Sequence, residues 1–364
     1  MGETVIKFTR GVPPPESFPA RQLAECAKDV LEKNSAIVLQ YGPAGGYQPL
    51  RQWIAQSCQV QENRIVLGQG SLQLLDILSK LLLTQGDVAY TEEPTYDRAF
   101  TLLQRAGARV IGFPLTKDGP DINQMEARLI NGERPKLYYT IPDFQNPSGM
   151  VISLDSRKKM LSLAEKYDFW IIEDSPYRYL RYYGSEIPSL FEQNPNRVIR
   201  MSSFSKLISP GLRVGYAVLP EALAVRVLKY AEDTYINASY FNQAIVMDYI
   251  EKGWLETNLE SLKQLYTPRL DTILAALKSN LESFGKWHKP EGGFFVGFTA
   301  NFPLDADKLL KKAEEFGVQL TDGRGFFVNG DGNRFIRLPF CALTPEEIET
   351  GIHRLAKVLD TFRK

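Results

Sequence analysis

Between Arg64 and Leu219 the chain alternates short, nearly unbroken apolar runs with stretches of helical spacing. The runs are Arg64–Gly68, Asp87–Tyr90, Arg109–Phe113, Lys136–Ile141, Phe169–Glu173, Val198–Met201 and Val214–Leu219. They are too short for helices and β-rich, whereas Ser71–Leu83 and Tyr96–Ala106 repeat apolar residues at helical intervals. A strand that is apolar on both faces must be covered on both, and the intervening helices supply that cover. The expected fold class is therefore α/β, a large domain whose mostly parallel sheet is sandwiched by helices. Helical spacing dominates from Glu221 to Phe284, with Asp271–Leu281 expected in a long helix that leads into a second unit. There Gly292–Thr299 and Arg334–Phe340 read as strands around a helix at Asp305–Phe316, and Pro345–Phe362 reads as a closing amphipathic helix. That is a smaller α+β domain. The Pro-rich start reads as an extended arm beside it, followed by a helix over Arg21–Asn34. The expected division is 1–40 for the arm and a small-domain segment, 41–270 for the large domain and 271–364 for the small one.

The totals narrow the function classes. A chain of 364 residues exceeds one compact core, and 44% hydrophobic residues can bury two. Lys+Arg and Asp+Glu balance at 43 each, so no long-range attraction to nucleic acid or an anionic membrane is expected. Apolar runs such as Leu81-Leu82-Leu83 fall far short of a membrane span, and Lys7 and Arg10 interrupt any secretory leader. Three widely spaced cysteines suit a reducing cytoplasm. Two histidines outside any ligand spacing make zinc or histidine-triad chemistry a poor fit, so no metal is expected. Proton work falls to another side chain.

Lysine is the candidate. Ser202-Ser203-Phe204-Ser205-Lys206 runs on to Arg213, seven residues later, and then into an apolar strand. A lysine in such a turn can form a Schiff base with an aldehyde. Hydroxyls and a planar cation beside it suit a phosphate. An aldehyde and a phosphate together suggest pyridoxal 5'-phosphate (PLP). Four further cues follow predicted strands of the same sheet. Gly68-Gln69-Gly70-Ser71-Leu72 opens a helix whose first amides can bind an anion, although Gln73 replaces the third glycine of a dinucleotide fingerprint. Glu173-Asp174-Ser175-Pro176-Tyr177 ends a strand in carboxylates, and an aspartate there can pair with a protonated pyridine nitrogen. Asn146-Pro147-Ser148-Gly149 sets an amide at the same edge, and Tyr96 offers a face for stacking. Each cue has an ordinary structural reading alone. Their conjunction carries the inference.

The chain resembles the fold-type I PLP-dependent aminotransferases of the aspartate-aminotransferase superfamily, nearest the 2-aminoadipate, kynurenine and aromatic aminotransferase group. Ser-Phe-Ser-Lys-x-x-x-Pro-Gly-Leu-Arg at 203–213, Asn146 to Gly149 and Asp174-x-x-Tyr177 carry the likeness. So do Gln40-Tyr41-Gly42-Pro43-Ala44-Gly45-Gly46-Tyr47, Pro290-Glu291-Gly292-Gly293-Phe294-Phe295 and Ile336-Arg337-Leu338. The resemblance implies a seven-stranded sheet and a homodimer that acts on an amino acid and a 2-oxo acid. It implies that Lys206 carries the Schiff base, that Asp174 meets the ring nitrogen, and that Asn146 and Tyr177 bond the phenolic oxygen. Tyr96 would stack on the ring. Ser71, the amides of Gly70 to Leu72, Ser203, Ser205 and Arg213 would hold the phosphate, joined by Tyr41 from the partner subunit. Arg337 and Asn146 would meet the substrate, Arg337 by forking onto the α-carboxylate, with Gly11 lying over it. Leu72 and Arg10 depart from the group's pattern.

The expected activity is ping-pong transamination from an L-amino acid to a 2-oxo acid such as 2-oxoglutarate. A PLP-dependent lyase or other non-transaminating PLP enzyme is the alternative, because the grip on the cofactor does not dictate the reaction. A second carboxylate on the substrate would need Arg10 or Arg21, and an apolar side chain could use Phe8, Val12 and Phe18.

Overall fold

The computed structural model describes residues 5–363; positions 1–4 of the arm and position 364 lie outside it. In chain order the strands are β1 (Ile6–Phe8), β2 (Ile65–Gly68), β3 (Val88–Glu93), β4 (Arg109–Thr116), β5 (Gly119–Pro120), β6 (Pro135–Thr140) and β7 (Trp170–Asp174). They continue as β8 (Val198–Ser203), β9 (Gly215–Val218), β10 (Gly285–Trp287), β11 (Phe295–Ala300), β12 (Val318–Leu320) and β13 (Phe335–Pro339). The large sheet has the order β2-β9-β8-β7-β6-β3-β4-β5. From β8 to β4 all neighbours are parallel. Strand β9 runs antiparallel between β2 and β8, so β2 keeps the direction of the rest.

Seven of these strands are the expected ones, and the eighth is a two-residue strand folded back on β4 through Leu115 and Pro120. Every residue of β2, β8 and β9 is buried, as two-sided cover requires. Strand β8 runs past Met201 into the serines because β9 continues the ladder as far as Ser203 opposite Gly215. The Ser202 hydroxyl is kept satisfied by donating to the Ser175 carbonyl, 3.1 Å away.

Two apolar cores result. The larger surrounds the sheet. The smaller joins Ile6, Phe8, Val296, Phe298, Ile336, Leu338 and the inner face of the helix Pro345–Asp360. One helix, Trp254–Leu281, serves both. Leu255, Leu262 and Tyr266 enter the larger core, and Leu270, Ile273, Leu277 and Leu281 the smaller, with Pro268 between the two sets. The small sheet is antiparallel in the order β10-β11-β13, and β1 pairs in parallel with β12. Strands β1, β5, β10 and β12 have three residues at most, too few to show a period in sequence.

Segment 1–40 divides between these bodies. Strand β1 joins the smaller core, whereas the helix Ala20–Val38 lies on the helix Tyr240–Glu251 through Val30, Val38 and Ala244. No described helix is long and apolar enough to cross a membrane.

Candidate active site

Strands β2, β3, β6, β7 and β8 all point one way, so the loops that follow them meet at one rim. Register makes this concrete: Gly68 and Ser203 both lie opposite Gly215, one on each side of β9. The turn before the helix Ser71–Leu82 therefore sits beside the lysine loop. The approach is close. A Cβ on Gly215 would stand 2.5 Å from the Ser71 nitrogen, and one on Gly70 2.6 Å from Arg213 Nη2. Gly70 also has φ +84°, a conformation that favours glycine.

No side chain caps that helix, and Ser71 and Leu72 occupy its first turn. Of the three amides expected to serve an anion, that of Gly70 already donates to the Gly68 carbonyl at 2.8 Å. Arg213 Nη2 donates to the Gln69 carbonyl at 3.0 Å, and Ser203 Oγ to Ser205 Oγ at 2.8 Å. Two serines, an arginine and a helix N-terminus thus border one small space, a donor set that fits a phosphate.

Asp174 ends β7 in the buried interior. Its Oδ2 accepts from the Tyr139 hydroxyl at 2.8 Å, while its Oδ1 has no hydrogen-bond partner among the described residues. Burial pushes its carboxyl up to about 6, against the Tyr139 hydrogen bond and with a push from Glu173. A buried carboxylate oxygen without a partner is costly, and a cationic ring N–H would satisfy it. That orphan oxygen, with the phosphate cradle, is the test that pyridoxal phosphate passes here.

Lys206 is half-buried, and its Nζ donates to the Gly11 carbonyl at 3.2 Å and lies 5.7 Å from the Phe294 ring centre. Burial lowers its ammonium from the ordinary range; Cys341 opposes the shift, while Arg213 and Arg337 add to it. Arg337, on β13, crosses from the small sheet. It donates to Asn146 Oδ1 at 3.2 Å and to the Thr9 carbonyl at 2.7 Å, leaving Nε unpartnered and buried. Phe295 and Phe326 flank its guanidinium at 5.1 and 4.6 Å. Tyr177 stands edge-on to Phe294 and Phe295, and burial pushes its hydroxyl up. Tyr96 heads the helix Asp97–Arg105, with Asp174 and Arg337 among the charges acting on its hydroxyl. Gly11 lies under Phe295, where any Cβ would clash with the ring.

The turn that carries Asn146 is held from beneath. Gln145 Oε1 accepts from the Ser148 amide and hydroxyl, and its Nε2 donates to the Pro94 carbonyl at 2.8 Å. Asp143 takes buried ion pairs from Arg157 at 2.7 Å and Arg178 at 3.2 Å.

One expected member stands apart. Tyr41 is 77% exposed, facing away from its own chain. Arg10 and Arg21 are exposed as well, and Phe8 is fully buried in the smaller core, so it cannot meet a substrate. Sequence reasoning missed Tyr139, Thr9, Phe326 and Cys341, and named Phe294 in a motif without giving it a role. Tyr139 faces Ile172 on the strand that ends in Asp174, a register that only the folded sheet supplies.

Comparison with known proteins accords with this site. The family model for aminotransferase class I and II matches residues 3–355. An aromatic-amino-acid aminotransferase of Thermococcus litoralis is 35% identical, over 98% of this chain and 88% of its own length. A 2-aminoadipate transaminase of Thermus thermophilus is 34% identical over 98% and 90%. The solved alpha-aminoadipate aminotransferase of Thermus thermophilus, in complex with N-(5'-phosphopyridoxyl)-L-leucine, superposes with a TM-score of 0.93 at 32% identity, covering 99% of this chain and 93% of that one. The chain belongs to the class I and II aminotransferases. It is a PLP-dependent, fold-type I enzyme that acts on amino acids and 2-oxo acids.

Proposed function

We propose that the protein moves the amino group of an L-amino acid to 2-oxoglutarate by a ping-pong reaction, with Lys206 as the covalent and proton-transferring residue. The observation that carries this is the half-buried Lys206 amine, whose one hydrogen-bond partner among the described residues is a backbone carbonyl, at the same rim as the orphan oxygen of Asp174. Bound there, pyridoxal phosphate supplies an aldehyde and an electron-withdrawing pyridinium ring. Ser71, Leu72, Ser203, Ser205 and Arg213 hold its phosphate. Asp174 would keep its ring nitrogen protonated, Asn146 and Tyr177 would bond its phenolic oxygen, and Tyr96 would cover one face. Arg337 turns from Thr9 to fork onto the substrate carboxylate, which orients the Cα–H bond. Lys206 Nζ, whose ammonium is disfavoured by burial and by Arg213 and Arg337, takes that proton. Phe294, Phe295 and Phe326 exclude water from the transfer.

Relatives named for 2-aminoadipate and aromatic amino acids support donors with long or aromatic side chains. The deciding experiment is a panel of such donors against 2-oxoglutarate. Formation of glutamate with at least one of them is expected, and release of ammonia or carbon dioxide without glutamate would favour the lyase reading. Arg337→Ala is expected to raise KM for donor and acceptor alike by about 10–100-fold, the loss of a charge-assisted bidentate contact. Steady-state kinetics with unchanged KM for both substrates would reassign the clamp.

We also propose a cytoplasmic homodimer. Free Cys26, Cys58 and Cys341 suit a reducing compartment. Ile37, Leu39 and Tyr41 form an exposed apolar strip at 57%, 68% and 77% exposure, more than an isolated chain ordinarily leaves in water. Sedimentation should give twice the mass of the chain, and Tyr41→Phe should weaken cofactor affinity without dissociating the dimer. A fully active monomer would overturn this.

A further inference from the structure

Three residues before Ser203 on β8, roughly 10 Å along the strand, Arg200 is only 4% exposed. Its Nε has no hydrogen-bond partner among the described residues, and Glu173 is the carboxylate that acts on it, through space rather than by a hydrogen bond. Its register neighbour Glu173 is engaged elsewhere, accepting from Ser175 Oγ and the Phe191 amide, each at 3.0 Å. Glu173 supports the charge from a distance, but the buried Nε–H is left as a donor that a ligand oxygen can answer. The side chain lines a cleft of about 780 Å³, between the end of the helix Gln48–Cys58 and the Phe191–Asn196 segment. That size admits a small metabolite.

The rest of the lining adds one more arginine and two glutamates. Arg64 is pinned beside it by the Leu219 and Pro195 carbonyls at 2.7 and 2.6 Å, with the Glu221 carboxylate acting on it from a distance. Of the carboxylates in the cleft, Glu192 pairs with Arg178 at 3.3 Å, and Glu221 accepts from Asn63 at 2.9 Å. Burial pushes the Cys58 thiol up, so it stays neutral.

We infer that this cleft is a second binding site, distinct from the catalytic rim, for the oxyanion group of a small polar molecule. Arg200 supplies the planar fork of donors and Arg64 the supporting charge. Phosphate and carboxylate share the chemistry, so both are tested. The PLP-loaded enzyme, with its catalytic phosphate cradle filled, is titrated calorimetrically with inorganic phosphate and, separately, with succinate. An Arg200-dependent binding event is expected with one ligand or both, and the one that responds identifies the source. Arg200→Met should abolish that event while binding at Arg337 persists. Asn196→Asp, at the exposed rim of the cleft, should weaken it about threefold, as one added charge across a solvated gap does. Should Arg200→Met fail to fold, Asn196→Asp decides. Isotherms of the folded variants that superimpose on the wild type for both ligands would overturn the site.

Discussion

Lys206→Ala is expected to lower transamination by at least about 10⁴-fold, the upper range for a positioned proton-transfer group, and to remove the covalent link to the cofactor as well. The expectation rests on Lys206 having no substitute. Its Nζ is the amine that meets the Gly11 carbonyl at 3.2 Å, beneath the arm that lies over the site. The other basic groups near it, Arg213 and Arg337, are guanidiniums that do not give up a proton near neutrality. Borohydride reduction of the wild type followed by peptide mapping should place the trapped vitamer on Lys206. A variant that still transaminates, or a trapped adduct on another peptide, would remove this lysine from the reaction.

Asp174→Asn should lower kcat by about 10²–10³-fold, the scale for losing one preorganised electrostatic stabiliser in a site closed to water. Asparagine keeps the Tyr139 hydrogen bond in reach but cannot hold a proton on a ring nitrogen by charge. A pH signature goes with it. The Asp174 carboxyl, ordinarily at 3.8, is raised by burial to about 6 in the cofactor-free fold. The folded chain therefore holds this proton more tightly than the unfolded chain does. Stability from this group is fully present below about 3.8 and is lost as pH rises through about 6. Cofactor-free wild type should thus lose thermal stability relative to Asp174→Asn between pH 4 and 7, and loading the wild type with cofactor should restore it. Thermal midpoints across that range test the point; parallel pH profiles for the two cofactor-free proteins would mean that Asp174 is not a strained buried acid.

The candidate site was legible in one dimension because its parts follow strands. Several apolar runs stop where a Gly, Asn, Asp or Ser–Lys turn begins and others at a proline, and that punctuation marks the loops of a parallel sheet before any contact is known. Single-residue boundaries were less legible. Strand β8 swallowed Ser202 and Ser203 because a neighbouring ladder outweighs the low strand propensity of serine. The short strands β1, β10 and β12 exist only because a partner across the smaller core pairs with them.

Local pattern therefore determined the fold class, the lysine turn and the residue types set at the ends of the strands. Tertiary structure alone decided that Tyr139 answers Asp174, that Thr9 and Gly11 occupy the donors of Arg337 and Lys206, and that the buried Arg200 Nε has no hydrogen-bond partner among the described residues. The reason is range. Periodicity reports which face of an element is apolar, but hydrogen-bond partners and the desolvation that shifts a buried acid or amine come from residues tens to hundreds of positions away, brought close by packing.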